Sequence, residues 1–261
     1  MEITDDSGYG AQFDGWYDRL YPKDASADSL AQRLADLHPE PTAGTVEFGV
    51  GTGRVAIPLS NLVGEILGID SSPEMLKGLA RDDRSHFVRS ELGDIRKYAS
   101  GRRFGLVYAV CGTFSQLRTK QDQQQAVVQA AKLLIPGGRL VIETHNKDAI
   151  IAAHEGRSRE TFFFPYPEPN TGVQMHSTLL PGGEIWHCSN IWFESDGTTR
   201  IGSEISRLTS VAEIDDYAKF AELEKENQWS NWEGAPLKDS SPMVIATYMK
   251  PGEARNIQST G

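Results

Sequence analysis

Cysteine is almost missing from this 261-residue chain, which has only Cys111 and Cys188 and no C-x-x-C pair. That excludes a disulfide framework and a cysteine-built zinc site. Basic residues are also in the minority, with 26 Lys and Arg against 36 Asp and Glu and a net charge of −10. A surface that holds phosphates needs the opposite balance, so no nucleic-acid partner is expected. No apolar run approaches the ~18 residues that would cross a bilayer. The opening Met1-Glu2-Ile3-Thr4 lacks the basic and then apolar pattern of a secretory leader. The expected setting is therefore cytoplasmic, with no membrane. What remains is an ordinary globular composition, 39% hydrophobic and 24% charged, sufficient for one large domain with an elaboration.

Up to residue 146, strand-like and helix-like segments alternate. Leu30, Leu34 and Leu37 recur at helical spacing over 29–37. Short apolar strands follow at 45–48, 66–70, 86–88 and 104–110, separated by helical patterns at 54–62, after Ser72-Pro73, and at 121–134. Ser72 is placed to cap a helix that Pro73 begins. Pro136-Gly137-Gly138 breaks the chain before a fifth strand at 139–143. This alternation predicts an α/β fold, a doubly wound and mostly parallel sheet covered on both faces. Composition then shifts. From 161 to 208 the chain is rich in aromatics and threonine, and the turn Ser195-Asp196-Gly197-Thr198 marks an antiparallel hairpin. A helix over 211–223 opens with Ser210 and Glu213 in capping-box spacing, and 242–249 is a last strand.

Residues 46–53, Val46-Glu47-Phe48-Gly49-Val50-Gly51-Thr52-Gly53, carry the most information. Glycine removes the Cβ, so the backbone can turn sharply and let a ligand lie on its amides. Asp70 ends the next apolar run, where a carboxylate can accept hydrogen bonds from a ribose diol. Together they imply a pocket for a nucleoside-containing small molecule. Gly51-x-Gly53-x-x-Ala56 with Asp70 beyond it also fits the dinucleotide fingerprint, so spacing alone leaves two cofactors open. Three features outside the loop bear on the choice. The loop begins near residue 49, after a helical segment. Glu47 would repel a pyrophosphate and attract a sulfonium and an ammonium group. Gly93-Asp94 could meet the exocyclic amine of an adenine.

In these residues the chain resembles the class I S-adenosylmethionine-dependent methyltransferases, over roughly residues 40–145. The resemblance implies a seven-stranded Rossmann-like sheet with an antiparallel β insertion after strand five. It gives Glu47, Gly49, Gly51 and Gly53 the aminoacid end of the cofactor, Asp70 the ribose and Asp94 the adenine, with Ser71 a further cofactor contact. Met75, Leu76 and Ile95 would flank the adenine, although Met75 and Leu76 also read as helix core. Val110 and Cys111 would end strand four where cofactor methionine and substrate meet. Cys111 is expected to pack rather than react. The run from Leu133 to Leu140, around Pro136-Gly137-Gly138, is similar to the family's helix-to-strand connection.

Gly15-Trp16-Tyr17-Asp18-Arg19-Leu20-Tyr21-Pro22 resembles the Y-D-x-x-Y openings of small-molecule methyltransferases, including deoxysugar N-methyltransferases. There the segment lids the site, which makes Tyr9, Tyr17 and Tyr21 lid residues; an amphipathic helix is the competing reading. Tyr17 and Tyr21 would touch cofactor, and Tyr9 substrate. Sugar N-methyltransferases place a histidine base where Gln116 stands here, and glutamine can orient a substrate but not take its proton. His145, at the end of strand five, is the best remaining base. The expected catalytic set is His145, Tyr17 and Gln116. Tyr166, His187, Trp192 and Arg207 are the acceptor-binding candidates in the insertion. Within it, Trp186, Cys188, Asn190 and Trp192 share one face.

The implied organisation is a lid over 1–25, a cofactor-binding core over 26–146 and an insertion capping the substrate over 147–208. A C-terminal helix and strands over 209–252 complete the sheet, and a polar, frayed tail covers 253–261. The expected activity is methylation of O or N on a small-molecule metabolite, a secondary metabolite or its sugar, in a possible homodimer without metal. A non-methylating cyclisation or rearrangement of a natural product on the same fold stays open.

Overall fold

In the computed structural model, which describes residues 8–13 and 15–252, two short helices, α1 (Tyr9–Gln12) and α2 (Tyr17–Leu20), precede the longer α3 (Ala25–Leu37). The tail over 253–261 lies outside the described residues. The alternating core follows as β1 (Thr45–Phe48), α4 (Ala56–Val63), β2 (Ile66–Asp70), α5 (Pro73–Asp82), β3 (Val88–Leu92), β4 (Phe104–Ala109), α6 (Lys120–Leu133) and β5 (Leu134–His145). After α7 (Lys147–Ala153) come four antiparallel strands, β6 (Arg159–Pro165), β7 (Gly172–Leu179), β8 (Ile185–Phe193) and β9 (Thr199–Arg207). Helix α8 (Val211–Phe220) then leads to β10 (Glu224–Trp229) and β11 (Met243–Met249).

The main sheet has seven strands in the order β10-β11-β5-β4-β1-β2-β3, with β11 antiparallel to both of its neighbours. Strand β1 is buried along its whole length because helices cover both faces. Ala126, Val127 and Ala130 of α6 and Ile214 and Ala218 of α8 pack one side. Leu30 and Leu34 of α3, Leu59 of α4 and Leu79 of α5 pack the other. The chain moves outward from β1 through β2 to β3, then returns to place β4 on the opposite side of β1. That reversal opens a crevice at the carboxyl ends of β1 and β4, where open α/β sheets take ligands. The fold is the doubly wound, seven-stranded, Rossmann-like sheet with an antiparallel insertion after the fifth strand.

Two local expectations shift. The third strand occupies Val88–Leu92 rather than 86–88. Phe87 is half exposed and His86 has a positive φ of 57°, so the apolar signal there belongs to a turn. As an edge strand, β3 exposes Arg89, Ser90 and Leu92 and has no hydrophobic pattern to announce it. The fifth strand begins at Leu134, not 139. Its register against β4 slips between Phe104 and Leu106, and the Pro-Gly-Gly stretch is absorbed as an irregularity held by Gly137 N–H to Lys250 O (2.7 Å).

The four-stranded sheet is tied to the core by a charge. Arg207, 1% exposed, donates to Gln123 Oε1 of α6 at 2.8 Å, Thr209 Oγ1 at 3.0 Å and Glu213 Oε1 of α8 at 2.7 Å. Glu213 also closes the capping box with Ser210, so one carboxylate ends a helix and neutralises a buried guanidinium. Burial raises the Glu213 carboxyl, but the Ser210 N–H and Arg207 outweigh it and bring it down to about 2. Replacing Arg207 with Met leaves that carboxylate only the exposed Lys120 and the Ser210 contacts, and leaves Gln123 Oε1 without its charged donor. Losing one partner of a buried pair costs about 3–5 kcal/mol. Because Glu213 is partly in water and keeps Lys120, urea unfolding of Arg207→Met should show a loss of about 3 kcal/mol, the low end of that range. A loss within error of zero would remove Arg207 as the tie.

Candidate active site

The glycine loop leaves β1 and turns back over β2. Gly49 and Val50 N–H both donate to Ile69 O, at 2.7 and 3.2 Å. A Cβ on Gly49, whose φ is 75°, would lie 2.4 Å from the Thr113 side chain, so only glycine passes there. Asp70 fixes the loop's next turn. Its Oδ2 accepts Gly51 N–H at 2.7 Å and its Oδ1 accepts Ser72 N–H at 2.9 Å. The same carboxylate lies on the wall of the cleft, where a diol would meet it. Ser72 caps α5 as its sequence position predicts, accepting from Met75 N–H.

These elements enclose a cleft of about 370 Å³, within the usual range for small-molecule sites. Glu47, Gly49, Gly51, Asp70, Ser71, Met75, Asp94 and Ile95 line it, and from the opposite side so do Tyr9, Tyr17 and Gln116. Three expected cofactor residues do not form its wall. Val110 is buried in the core, Gly53 faces Leu79 and Ile57, and Tyr21 packs tilted against Tyr17 with ring centroids 5.0 Å apart. Cys111 does line the cleft, but burial first, and Glu143 second, push its thiol up to about 12. A thiol so shifted is not a nucleophile near neutral pH.

The electrostatics suit a ligand that is cationic at one end. Glu47 is 3% exposed and accepts from Tyr108 Oη at 2.8 Å. Desolvation raises its carboxyl well above the ordinary range, the Tyr108 bond opposes this, and Asp70 adds to it. Asp94 is the contrary case. Burial lifts its carboxyl, but Arg96, bonded to it at 2.7–3.0 Å, holds it below the ordinary value. The cleft thus offers a poised carboxyl at the glycine loop, a diol acceptor at Asp70, an apolar wall at Met75 and Ile95, and a carboxylate at Asp94. This donor set fits S-adenosylmethionine from ammonium to adenine.

The N-terminal helices lie over the cleft. Thr52 Oγ1 donates to Asp18 Oδ1 at 2.5 Å, and Arg81 reaches Asp18 Oδ2 at 3.2 Å. Gly10 sits directly on Ser72. On the far side, the Gln12 amide pairs with the free edge of β9. Its Nε2 donates to Ser203 O at 2.6 Å, and its Oε1 accepts Ser203 N–H at 2.8 Å. Phe13 and Trp16 pack on Trp192, which is accordingly buried against the N-terminal segment.

A second cavity of about 230 Å³ adjoins the cleft and shares Tyr9, Gln116 and Arg118 with it. His187 and Glu204 complete its wall with Gln12 and Ser203. Of the acceptor candidates, Tyr9 and His187 therefore stand on this cavity. Tyr166 is exposed just after β6, outside both cavity walls. Arg207 is corrected: its guanidinium is consumed by Gln123, Thr209 and Glu213 and lines neither cavity. His145 lies behind the Thr113–Gln116 turn, with Nδ1 3.4 Å from Ser115 Oγ and its ring 4.9 Å from Trp186. Burial pushes it down to about 4, so it is a neutral imidazole, and it forms no part of either wall.

Sequence reasoning missed Glu204 and Glu143. Glu143 accepts Cys111 N–H at 2.7 Å and Trp232 Nε1–H at 2.8 Å, fixing the end of β4.

Two variants test this arrangement. Because folding favours protonated Glu47, ligand-free stability declines as pH rises above the ordinary carboxyl range toward the folded value. Glu47→Gln should abolish that decline and preserve or raise the melting temperature at neutral pH. It should also weaken S-adenosylmethionine about tenfold or more by calorimetry, through loss of a charge-assisted contact. Wild-type affinity should strengthen as pH rises through the same range, where the carboxylate forms. In Gly10→Ala, the new Cβ would stand 2.1 Å from Ser72 Oγ, so α1 must lift. Cofactor release should quicken several-fold in stopped-flow while the melting temperature moves little; an unchanged rate would show that α1 does not cover the cofactor.

Residues 46–138 match the methyltransferase domain family. The chain is 25% identical over 178 residues, 64% of its length and 74% of the other's, to a dTDP-3-amino-3,4,6-trideoxy-alpha-D-glucopyranose N,N-dimethyltransferase of Streptomyces venezuelae. The CcbJ methyltransferase of Streptomyces caelestis superposes with a TM-score of 0.84 at 26% identity, over 95% of this chain and all of that one. An amino pentose methyltransferase of Micromonospora echinaspora, solved with S-adenosylmethionine, shares the fold at a TM-score of 0.67 and 20% identity, over 88% of this chain and 95% of its own. With the cleft's donor set, these likenesses make the chain an S-adenosylmethionine-dependent methyltransferase of the class I fold, its methyltransferase domain spanning residues 46–138.

Proposed function

We propose that the chain methylates a nitrogen or oxygen of a small-molecule metabolite, a secondary metabolite or its amino sugar. The observation that carries this reading is the second cavity. It opens beside the cofactor cleft at Tyr9 and Gln116, and at about 230 Å³ it has room for a sugar-sized group and not for a polymer. The relative from Streptomyces venezuelae, named for an amino sugar, supports the same acceptor class.

When bound, the cofactor supplies an electrophilic methyl group on a cationic sulfur. The protein's share is alignment and the exclusion of water. Glu47 would hold the ammonium end, Tyr17 and Tyr9 would close the cleft above it, and Gln116 would orient the acceptor's amine or hydroxyl. His145 and Tyr17 as proton acceptors are less favoured, the first by its place outside the walls and the second by a phenol raised by burial.

The proposal includes a cytoplasmic setting and no nucleic-acid partner, in keeping with the net charge of −10. No helix among the described residues is long and apolar enough to cross a membrane. It also includes a homodimer through the outer face of the four-stranded sheet, where Phe163 and Ile201 are exposed on one cross-strand row with Ile191.

Incubation with methyl-labelled S-adenosylmethionine and a panel of nucleotide-linked amino sugars and natural-product alcohols should move label into one acceptor class. Conversion of an acceptor without gain of a methyl mass would instead establish the rearrangement chemistry.

A further inference from the structure

The inner face of the four-stranded sheet carries an apolar patch along β8, with polar residues at Ser177, Asn190 and Ser206 beside it. Trp186, Cys188 and Trp192 of β8 are buried there, and Gly202 of β9 lies against Phe13 and Trp192. Glu204, paired directly across from Cys188, places a carboxyl on this face. It lines the second cavity, and among the described residues it has no hydrogen-bond or ion-pair partner. Glu204 is half-buried, and a carboxyl partly withdrawn from water with no partner carries a cost that a cationic ligand would offset.

The groups around it do not supply that partner. Tyr9 of α1 and Tyr21 beyond α2 are near enough to be influenced by its charge, and both phenols are raised by burial, so they stay neutral. Cys188 of β8 is pushed up to about 12, first by burial and then by Glu204 itself. His187 and Arg118 share the cavity wall, and neither is bonded to Glu204. Among the described residues Glu204 is thus the acidic side chain of the cavity wall, which it shares with Arg118, and its neighbours Tyr9, Tyr21 and Cys188 carry no charge. Cofactor binding does not use it, because it lies outside the cleft of Glu47 and Asp70.

We propose that Glu204 receives a protonated amine of the acceptor, making the acceptor an ammonium-bearing molecule and Glu204 the group that takes its proton. This rests on the methyl-transfer reading above and narrows it to nitrogen. The amine enters as R–NH3+, one N–H proton passes to the Glu204 carboxylate, and the freed lone pair points toward the cleft. The N–C bond then forms as the C–S bond breaks, and the sulfur keeps the bonding pair as a neutral thioether. The methylated nitrogen is again cationic, and one proton returns to water. Burial raises the Glu204 carboxyl toward the amine's own range, which eases the transfer. Gln116, in the wall shared by cleft and cavity, would hold the same nitrogen by hydrogen bond without competing for its proton.

The test separates this role from methyl transfer itself. Protein saturated with S-adenosylhomocysteine, with its glutamate carboxyls labelled with carbon-13, is titrated with cyclohexylammonium and with its neutral isostere cyclohexanol. The Glu204 signal, assigned from Glu204→Gln, should move with cyclohexylammonium and not with cyclohexanol. Its pH midpoint should fall when the ammonium is present. Glu204→Gln should weaken cyclohexylammonium by about tenfold or more, with S-adenosylhomocysteine affinity and melting temperature unchanged, and Glu204→Asp should recover part of the loss. Equal response to the two probes, a Glu204 signal that neither probe moves, or undiminished ammonium binding in Glu204→Gln would each overturn the assignment. Should Glu204→Gln not fold, a selective labelling assignment and the wild-type midpoint shift decide alone. Failure to bind S-adenosylhomocysteine would count against the methyltransferase reading, not against Glu204.

Discussion

Glu47 and Tyr108 face each other across the point where the sheet reverses direction, and one hydrogen bond of 2.8 Å joins them in a fully buried setting. A carboxyl in the heart of a parallel sheet opposes folding unless it stays protonated or is met by positive charge. Here the single phenol bond compensates only partly, and the group waits at the base of the glycine loop. Around it, the loop's conformation is fixed by Asp70, which in turn is oriented by Ser72 at the start of α5. The cleft is therefore organised by acceptors that already hold backbone amides. A cationic nucleoside replaces an electrostatic deficit rather than displacing a satisfied network.

The lid and the insertion answer a different need. Methyl transfer requires the exclusion of water more than it requires acids or bases. The N-terminal helices touch the glycine loop through Asp18 and the edge of β9 through Gln12. An amide that pairs with a strand edge as a neighbouring strand would also protects that edge from pairing with another chain. One short segment thereby lines the cleft, walls the second cavity and terminates a sheet. The aromatic cluster of Phe13, Trp16 and Trp192 gives it the apolar area that two four-residue helices lack by themselves.

Legibility in the sequence follows the range of the interactions. The cofactor residues are readable because glycine spacing, a strand-terminal Asp70 and the Ser72-Pro73 helix start are local signals tied to local geometry. The capping box at Ser210 and Glu213 is readable for the same reason. Strand β3 is not, because an edge strand with polar residues on both faces has no periodicity to show. Arg207 reads locally as an arginine in an alternating strand. Nothing nearby in the chain reveals that Gln123, 84 residues earlier, occupies its guanidinium. Glu204 is hidden in the same way. Alternation assigns it a face, but only the docking of α1 and the Thr113–Gln116 turn makes that face a cavity wall.

The guanidinium of Arg207 also governs how this architecture can be rebuilt. Its anchors belong to α6 and α8, which pack on the main sheet, while the arginine itself ends the last strand of the four-stranded sheet, here called the cap for its place in the fold. Exchanging the cap alone for that of another enzyme, to change which molecule is modified, would import a foreign strand end onto a polar socket formed by Gln123, Thr209 and Glu213. Such a chimera must carry the socket with the strand, so the natural unit of recombination crosses the apparent boundary between cap and core.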